Sequence, residues 1–456
     1  MNTIILSAIF GVVMMFTGIF ISNRSAYKHI AAIALLIMLV FNINETNGSE
    51  LFNINAEYFL HFEKFGLLFT SICIFSTLIY VLLSGSDIEK AGANTAESFA
   101  LIFFVLCGIG IVTSYTNLLM LFLGIEILSI PLYILTGSDK RDLKGNEAAL
   151  KYFLMGAFST GIMLMGIALL YGATGTFIVE HVASAGMLSY LEALGMVLIF
   201  IALSFKVSAA PFHFWTPDVY DGAPAVFTSF MATVVKVAGF AAFIRLFEGR
   251  YGTMGSQTDR LIAIAIVLTL AFGNLTAVFQ QSVKRMLAYS SIAQAGFMLY
   301  ALFAVNDVAK EGLLLYAAAY SLATIGIFAV LAKMDDMTFE GFNGMAKSQP
   351  FIAALLVIFL LSLAGIPLTA GFFAKYYMLS AIVKTNRYIG LAIIGVLFAA
   401  VSVYYYFKVI QAMYFKDGNF ALLPVTNSFK FLLLGVAFII VILGIYPNAL
   451  LSLLYF

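Results

Sequence analysis

Apolar runs of roughly 20 residues follow one another along this chain, and that length is what an α-helix needs to cross a bilayer. They are too long and unbroken for membrane-barrel strands, which alternate every second residue. Hydrophobic residues make up 62% of the sequence, more than a water-facing surface allows. The sequence therefore predicts an all-α polytopic membrane protein with about fourteen transmembrane helices, near residues 3–22, 29–43, 63–83, 98–115, 117–136, 150–171, 192–212, 224–247, 260–280, 286–305, 311–332, 351–382, 389–412 and 430–454.

Four lone charges lie inside these apolar runs: Glu126, Lys206, Lys236 and Lys375. A charge at mid-membrane costs roughly 2.5–3.5 kcal/mol on insertion scales, and ionisable groups at that depth generally serve function. Their spread along the chain suggests a path for protons or ions. The structural alternatives are a packing carboxylate for Glu126, static ion pairs for Lys206 and Lys236, and a lysine that reaches water along its helix for Lys375.

A carboxylate near a buried lysine makes a proton switch. Desolvation disfavours the ammonium form, and a neighbouring carboxylate favours it. Movement of Glu126 relative to Lys206 or Lys236 would thus load and unload a proton. Two further candidates are Lys151, which would reach Glu126 or anchor its helix at the headgroups, and His213, which would relay protons from Lys206 to water or simply be a loop histidine. Small polar groups that would hold water between the charges are Ser290, Ser291, Gln294, Tyr316, Tyr320 and Thr324.

Two of the apolar runs contain helix-breaking residues. Residues 203–213 include Pro211, and residues 363–375 include Gly365, Pro367 and Gly371. Proline removes a helix hydrogen bond, and irregular backbone at membrane depth persists only where protein or water satisfies it. A pair of broken helices in corresponding halves of a chain is typical of internally repeated transporters. An internal repeat is one interpretation, and from these residues alone it stays open.

Charge and cysteine content exclude several classes of function. The net charge is +1, so nucleic acid is not an expected partner. Cys73 and Cys107 lie in apolar runs without metal-ligand spacing, and the four histidines are scattered, so we expect no haem, iron–sulfur or zinc site. No segment is long and polar enough for a soluble domain, so other chains must supply the energy.

The loops alternate in basic character, which predicts the orientation. The side with about twice as many Lys and Arg residues faces the cytoplasm by the positive-inside rule. Both termini would then lie outside. The first apolar run lacks a basic segment before it, so we interpret it as a retained helix rather than a cleaved signal.

Two stretches, residues 205–224 and 273–296, resemble the antiporter-like membrane subunits of respiratory complex I. Lys375 matches a position that is lysine in N-type members and glutamate in M-type members, so the resemblance is to the N type. It implies two inverted five-helix repeats, each containing a broken helix. The expected division is an N-terminal three-helix segment at 1–96, repeats at 97–250 and 251–416, and a C-terminal helix at 417–456.

The resemblance also implies a function. Glu126, Lys151, Lys206, Lys236 and Lys375 match the family's proton-transfer positions, and the chain would be a proton-pumping module of NADH–quinone oxidoreductase in a bacterial inner membrane. NADH, FMN, iron–sulfur clusters and quinone would bind to other subunits, and the partners would be neighbouring membrane-arm subunits and the lipid bilayer. Two alternatives remain: a subunit of a multisubunit cation/proton antiporter, and a non-pumping scaffold subunit.

Overall fold

The chain folds into a bundle of helices, seen in a computed structural model that describes residues 1–21, 23–49, 51–52, 54–92, 94–180, 189–248, 251–418 and 420–455, without the side chains of 251–257. Within these residues 12 helices are long and apolar enough to cross a membrane. The helices are α1 Asn2–Phe20, α2 Arg24–Thr46, α3 Lys64–Ser84, α4 Thr95–Ser114, α5 Leu118–Thr136, α6 Leu143–Thr174, α7 Tyr190–Lys206, α8 Trp215–Gly222, α9 Ala225–Glu248, α10 Tyr251–Val278, α11 Val283–Ala304, α12 Asp307–Leu331, α13 Pro350–Ala364, α14 Ala370–Lys384, α15 Ile389–Phe415 and α16 Asn427–Ile445.

Two of the predicted spans are interrupted helix pairs. The apolar run near 351–382 is not one helix, because α13 ends at Ala364 and α14 begins at Ala370. Gly365 at this break has a φ of 82°, a left-handed conformation that glycine adopts without steric cost. The first pair is α7 and α8, separated by the turn that follows Lys206. Both breaks fall inside the stretches that the sequence marks as interrupted.

Burial separates a central group of helices from an outer group. The apolar stretch of α12 is entirely buried, and those of α9 and α11 are almost so. In helices α1, α2, α6, α15 and α16 less than half of the apolar stretch is buried, and the exposed side chains there include Phe20, Phe158 and Phe415. Such a perimeter suits hydrocarbon, because apolar side chains in lipid need no polar cover. Ten buried polar or charged side chains lie on α9, α11 and α12, among them Lys236 and Gln294.

Both ends of the chain lie at the same end of the bundle, here called the terminal face. The Met1 amino group contacts Glu45 at the end of α2, and the Tyr455 hydroxyl contacts Glu311 in the first turns of α12. The other end, here called the opposite face, carries the buried ion pair between Lys333 and Asp87, with an N–O distance of 2.6 Å.

Candidate functional site

Lys206 is the last residue of α7, where the first helix break begins. Its Nζ donates hydrogen bonds to the hydroxyl oxygens of Ser129, at 2.9 Å, and Tyr133, at 3.3 Å. Both hydroxyls belong to α5, and the ammonium also lies 5.8 Å from the centre of the Tyr133 ring. The broken helix thus ends with its lysine held by neutral groups of α5.

Glu126 lies on the same side of α5 as these two hydroxyl groups. Ser129 and Tyr133 follow Glu126 by three and seven residues, a spacing that places all three on one helix face. Among the described residues, no ion pair within 4.0 Å joins Glu126 to Lys206. Nor does Lys151 reach Glu126, since it pairs with Glu147 at 2.8 Å and Asp218 at 3.2 Å.

Lys236 lies in the centre of the bundle, in the middle of α9. Its side chain is buried, and Nζ donates to the carbonyl oxygen of Ser291 at 3.1 Å and to its hydroxyl at 2.8 Å. The turn directly before it, Met231–Val235, is π-helical. Single π-helical turns within α-helices occur frequently at functional sites, because they re-aim the side chains around them.

Aromatic rings fill the space between Lys206 and Lys236, and we call them the aromatic column. Adjacent rings have centroids 4.8, 4.8 and 5.8 Å apart, in the order Tyr133, Tyr152, Trp215 and Tyr220. The first ring contacts one lysine, and the last lies 5.5 Å from Nζ of the other. Side chains from α5, α6 and α8 therefore lie between the two lysines.

Lys375 lies beyond the second break, on α14. Its Nζ donates to the carbonyl oxygens of Leu363 and Ala364, both at 2.9 Å, and contacts the hydroxyl of Ser402 at 3.5 Å. The last carbonyls of a helix have no partner within it, and the helix dipole makes that end attractive to a cation. The broken end of α13 is therefore the binding site for the lysine.

A hydrogen-bonded network joins the surroundings of Lys375 to those of Lys236. The Gln294 amide donates to the Leu363 carbonyl oxygen and to the Tyr406 hydroxyl, both at 3.0 Å. The Tyr316 hydroxyl donates to the other end of the same amide. Gln294 lies one helical turn after Ser291, the residue that binds Lys236. A cavity of about 10 Å³ beside Gln294 and Lys375 has room for about one water molecule.

His213 and Lys408 lie apart from this network. The His213 ring lies in the turn between α7 and α8 and packs on Phe272, with centroids 5.3 Å apart. Its Nδ1 is buried without a hydrogen-bond partner in the described part of the chain. Lys408 reaches the Gln280 carbonyl oxygen at 3.3 Å and lies over the Phe339 ring, which fits an anchoring lysine.

A charged cluster at the opposite face was not singled out from the sequence, although its two aspartates lie within the resemblance at residues 205–224. Asp218 accepts hydrogen bonds from Arg285 at 2.9 Å and Lys151 at 3.2 Å. Burial raises the pKa of Asp218, but these bonds outweigh it and leave the pKa below its ordinary value. Beside this pair, the Asp221 carboxylate binds Lys144 at 2.9 Å. The short helix α8 thus places two carboxylates at the opposite-face end of the first broken pair.

Metal ligands do not come together in the described ranges: no three His, Cys, Asp or Glu side chains form a cluster there that would hold an ion. Cys73 is buried and Cys107 partly so, and both are free thiols.

Comparison with known proteins places these features in a family. The NADH:quinone oxidoreductase/Mrp antiporter transmembrane family matches residues 115–402, more than half of the chain. NADH-quinone oxidoreductase subunit N of Cytophaga hutchinsonii is 40% identical over 99% of both chains, and that of Flavobacterium psychrophilum is 37% identical over the whole of both. The chain belongs to the subunit N family.

Solved structures share the fold. A chain of respiratory complex I from Thermus thermophilus, solved with bound aureothin, matches with a TM-score of 0.86 and 31% identity, covering 99% of this chain and 98% of that one. A chain of the Mrp complex from a Dietzia species matches with a TM-score of 0.85 at 17% identity, covering 99% and 95%. At that lower identity the likeness concerns the fold alone.

Proposed function

We propose that this chain is a proton-translocating membrane-arm subunit of NADH–quinone oxidoreductase, driven by redox chemistry in other subunits. The observation that carries the proposal is the row of three lysines, Lys206, Lys236 and Lys375, each held by neutral oxygens inside the bundle. Family membership and the match to a complex I chain support the same assignment.

Neutral partners suit a site that must gain and lose a proton. In the described part of the chain no carboxylate contacts Lys236 or Lys375 within 4.0 Å. A buried ammonium without a counter-charge is unfavourable, and releasing its proton removes that cost. In an ion pair, the same release would leave a buried carboxylate without its partner. Each of these lysines is thus a proton site rather than half of a fixed ion pair.

The proposed path crosses the bundle from the opposite face to the terminal face. Protons enter beside α8 and load Lys206 or Lys236, and the aromatic column separates the two. A change in the distance between Glu126 and Lys206 then drives discharge toward Lys375. Release follows through the second break. Each proton moved against 100 mV needs about 2.3 kcal/mol, which other subunits must supply.

The remaining candidates act at the entrance. Lys151 and Arg285 both pair with Asp218 at the opposite-face end of the first broken pair. We therefore assign Lys151 to the proton entrance rather than to a pair with Glu126. His213 lies in the turn of the first break, and we keep it as the candidate relay between Lys206 and water.

We further propose fourteen spans, made of the 12 long helices and the two interrupted pairs. Helices α4 to α9 and α10 to α15 each supply five spans that include one broken pair, and we assign them to the repeats at 97–250 and 251–416. Five is an odd number, so the second repeat starts from the other face and is inverted. Residues 1–96 and 417–456 add the three N-terminal helices and the last one.

The opposite face would be cytoplasmic. It carries the basic residues Lys144, Lys284, Arg285, Lys347 and Lys416. Both termini would then lie outside the bacterial plasma membrane. Other subunits would bind NADH, FMN, the iron–sulfur clusters and quinone, and neighbouring membrane-arm subunits would cover part of the perimeter.

The test uses the intact complex in sealed membrane vesicles. Lys206→Met keeps the length of the side chain but removes the proton site. We expect NADH oxidation by an artificial acceptor to be unchanged, and proton uptake coupled to quinone reduction to fall about tenfold or more. Unchanged proton uptake per NADH with normal assembly would favour the scaffold alternative. A requirement for Na⁺, or Na⁺ transport in place of protons, would favour the cation antiporter.

A further inference from the structure

A groove of about 590 Å³ opens on the perimeter at the terminal face. Its walls come from α2, α3, α12, α16 and the short C-terminal helix Asn448–Leu451. None of the proton-transfer candidates lines it. The groove is therefore separate from the path described above.

The length of the groove matches one leaflet of a bilayer. Along α3 its lining runs from Lys64 to Ser76, which at 1.5 Å per residue is roughly 18 Å. Half of a typical hydrocarbon core is about 15 Å. The walls from α2 and α16 also lie near the helix ends at the terminal face, with Asn47 after α2 and Leu443 in the last turn of α16, and Ala318 and Leu322 of α12 line the deeper part. The groove starts at the membrane surface and stops near the midplane.

The chemistry of the groove changes from its mouth to its depth. Leucine, isoleucine and phenylalanine side chains dominate its walls, with Ser71 and Ser76 as the polar groups below the mouth, and Lys64 lies at the mouth. Neighbouring charges are already engaged, since Glu63 pairs with Arg245 at 3.6 Å. Within the described residues the Lys64 ammonium has no ion pair and no hydrogen bond. An unpaired cation thus stands at the headgroup level above an apolar channel.

We propose that this groove binds one acyl chain of a phospholipid, whose phosphate group faces Lys64. A transmembrane helix of a partner would be about 10–12 Å wide and would continue across both leaflets, whereas the groove ends after one. A quinone or another lipid without a phosphate group carries no negative charge that could pair with Lys64. A phospholipid satisfies both ends of the groove at once.

The bound lipid also has a structural consequence for the end of the chain. Ala449, Leu450 and Leu453 form one wall of the groove. The acyl chain would lie between this wall and α3, so the lipid packs the C-terminal turn onto the N-terminal three-helix segment.

Photolabelling of the intact complex tests the proposal. The complex is reconstituted into phosphatidylcholine vesicles that contain a small fraction of phosphatidylglycerol with a photoreactive acyl chain, and the labelled peptides are mapped by mass spectrometry. We expect labels to concentrate on α3 and α16. Lys64→Gln should lower this labelling about fivefold, because one lysine near the surface contributes that much to attraction for an anionic lipid. Lys384→Gln, an exposed lysine at the terminal face, is the matched control and should leave labelling unchanged.

A second variant tests the groove itself. Ile43 lines the mouth and is exposed on the perimeter, so Ile43→Trp fills the groove without entering the core. It should also reduce labelling. Labels spread evenly over the perimeter, labelling that persists in both variants, or cross-links from another subunit to the groove in place of lipid would each overturn the proposal. Equal labelling by a neutral diacylglycerol probe would show that the phosphate plays no part and would also overturn it.

Discussion

Lys375 and Gln294 donate hydrogen bonds to the same backbone oxygen, the carbonyl of Leu363, at 2.9 and 3.0 Å. This carbonyl is available because α13 ends one residue later. A helix break at membrane depth thus gives a binding site for a lysine, and a glutamine from the central helix α11 joins that site to the rest of the network. The helix break supplies carbonyl oxygens for the buried lysine, and the lysine satisfies the carbonyl oxygens that the break leaves free.

Replacing Gln294 with methionine should disrupt this network. The change removes the partner of the Tyr316 hydroxyl and the donor to Tyr406, and an unsatisfied buried polar group costs about 1–3 kcal/mol. We expect a lower thermal midpoint of the purified complex together with slower coupled proton uptake. Gln411→Met, on the exposed side of α15, should change neither quantity. Normal proton uptake in Gln294→Met would show that this glutamine is not part of the proton path.

Gly365→Ala tests the second break. The backbone at Gly365 is left-handed, and a Cβ there would lie 2.8 Å from Cδ of Lys375. We expect a destabilisation of about 1–3 kcal/mol, together with a displaced lysine and weaker proton transport. Gly435→Ala, where a Cβ meets nothing within 4 Å, is the control. Equal thermal midpoints for the two variants would contradict this view of the break.

The buried pair between Lys333 and Asp87 should matter for stability. Asp87→Asn leaves a buried ammonium without its counter-charge, which costs about 3–5 kcal/mol. The exposed pair between Lys347 and Asp417 is the natural comparison, and Asp417→Asn should leave the thermal midpoint unchanged. Scanning fluorimetry of both variants measures the difference. Two equal midpoints would show that burial does not decide the strength of these pairs.

The ion pairs of Asp218 at the opposite face should make the stability of the protein depend on pH. Its pKa is held below the ordinary value of 3.8, so its contribution to stability is complete above that pH and is lost as the pH falls through the lowered pKa. Asp218→Asn should therefore cost about 1 kcal/mol at pH 7, and its difference from wild type should shrink below pH 3.8. Asp335→Asn, at an exposed site, serves as the control. A stability difference between wild type and Asp218→Asn that grows as the pH falls would contradict this prediction.

The fold was largely predictable from the sequence, because long apolar runs have few other solutions in a membrane. Helix breaks at 203–213 and 363–375 were visible as proline and glycine inside such runs. The exact ends were less accessible: the run at 351–382 is two helices, and only the backbone shows that α13 stops at Ala364.

The positions of the candidate residues inside apolar helices were predictable from the sequence, but their contacts were not. Lone charges in apolar runs marked Lys206, Lys236 and Lys375, since each is costly at that depth. Their partners depend on how the helices rotate against one another, which no single-helix pattern fixes. Lys151 illustrates the limit, because it points to Asp218 on a neighbouring helix rather than to Glu126.

Proton uptake by the complex carrying Lys236→Met tests whether the buried lysines carry the protons. Lys236 is buried in the middle of α9, donates hydrogen bonds to Ser291 and lies over the Tyr220 ring. We expect fewer protons to be taken up per NADH oxidised in sealed vesicles, with normal assembly, while Lys384→Met behaves as wild type. An unchanged proton-to-NADH ratio in Lys236→Met would contradict this expectation.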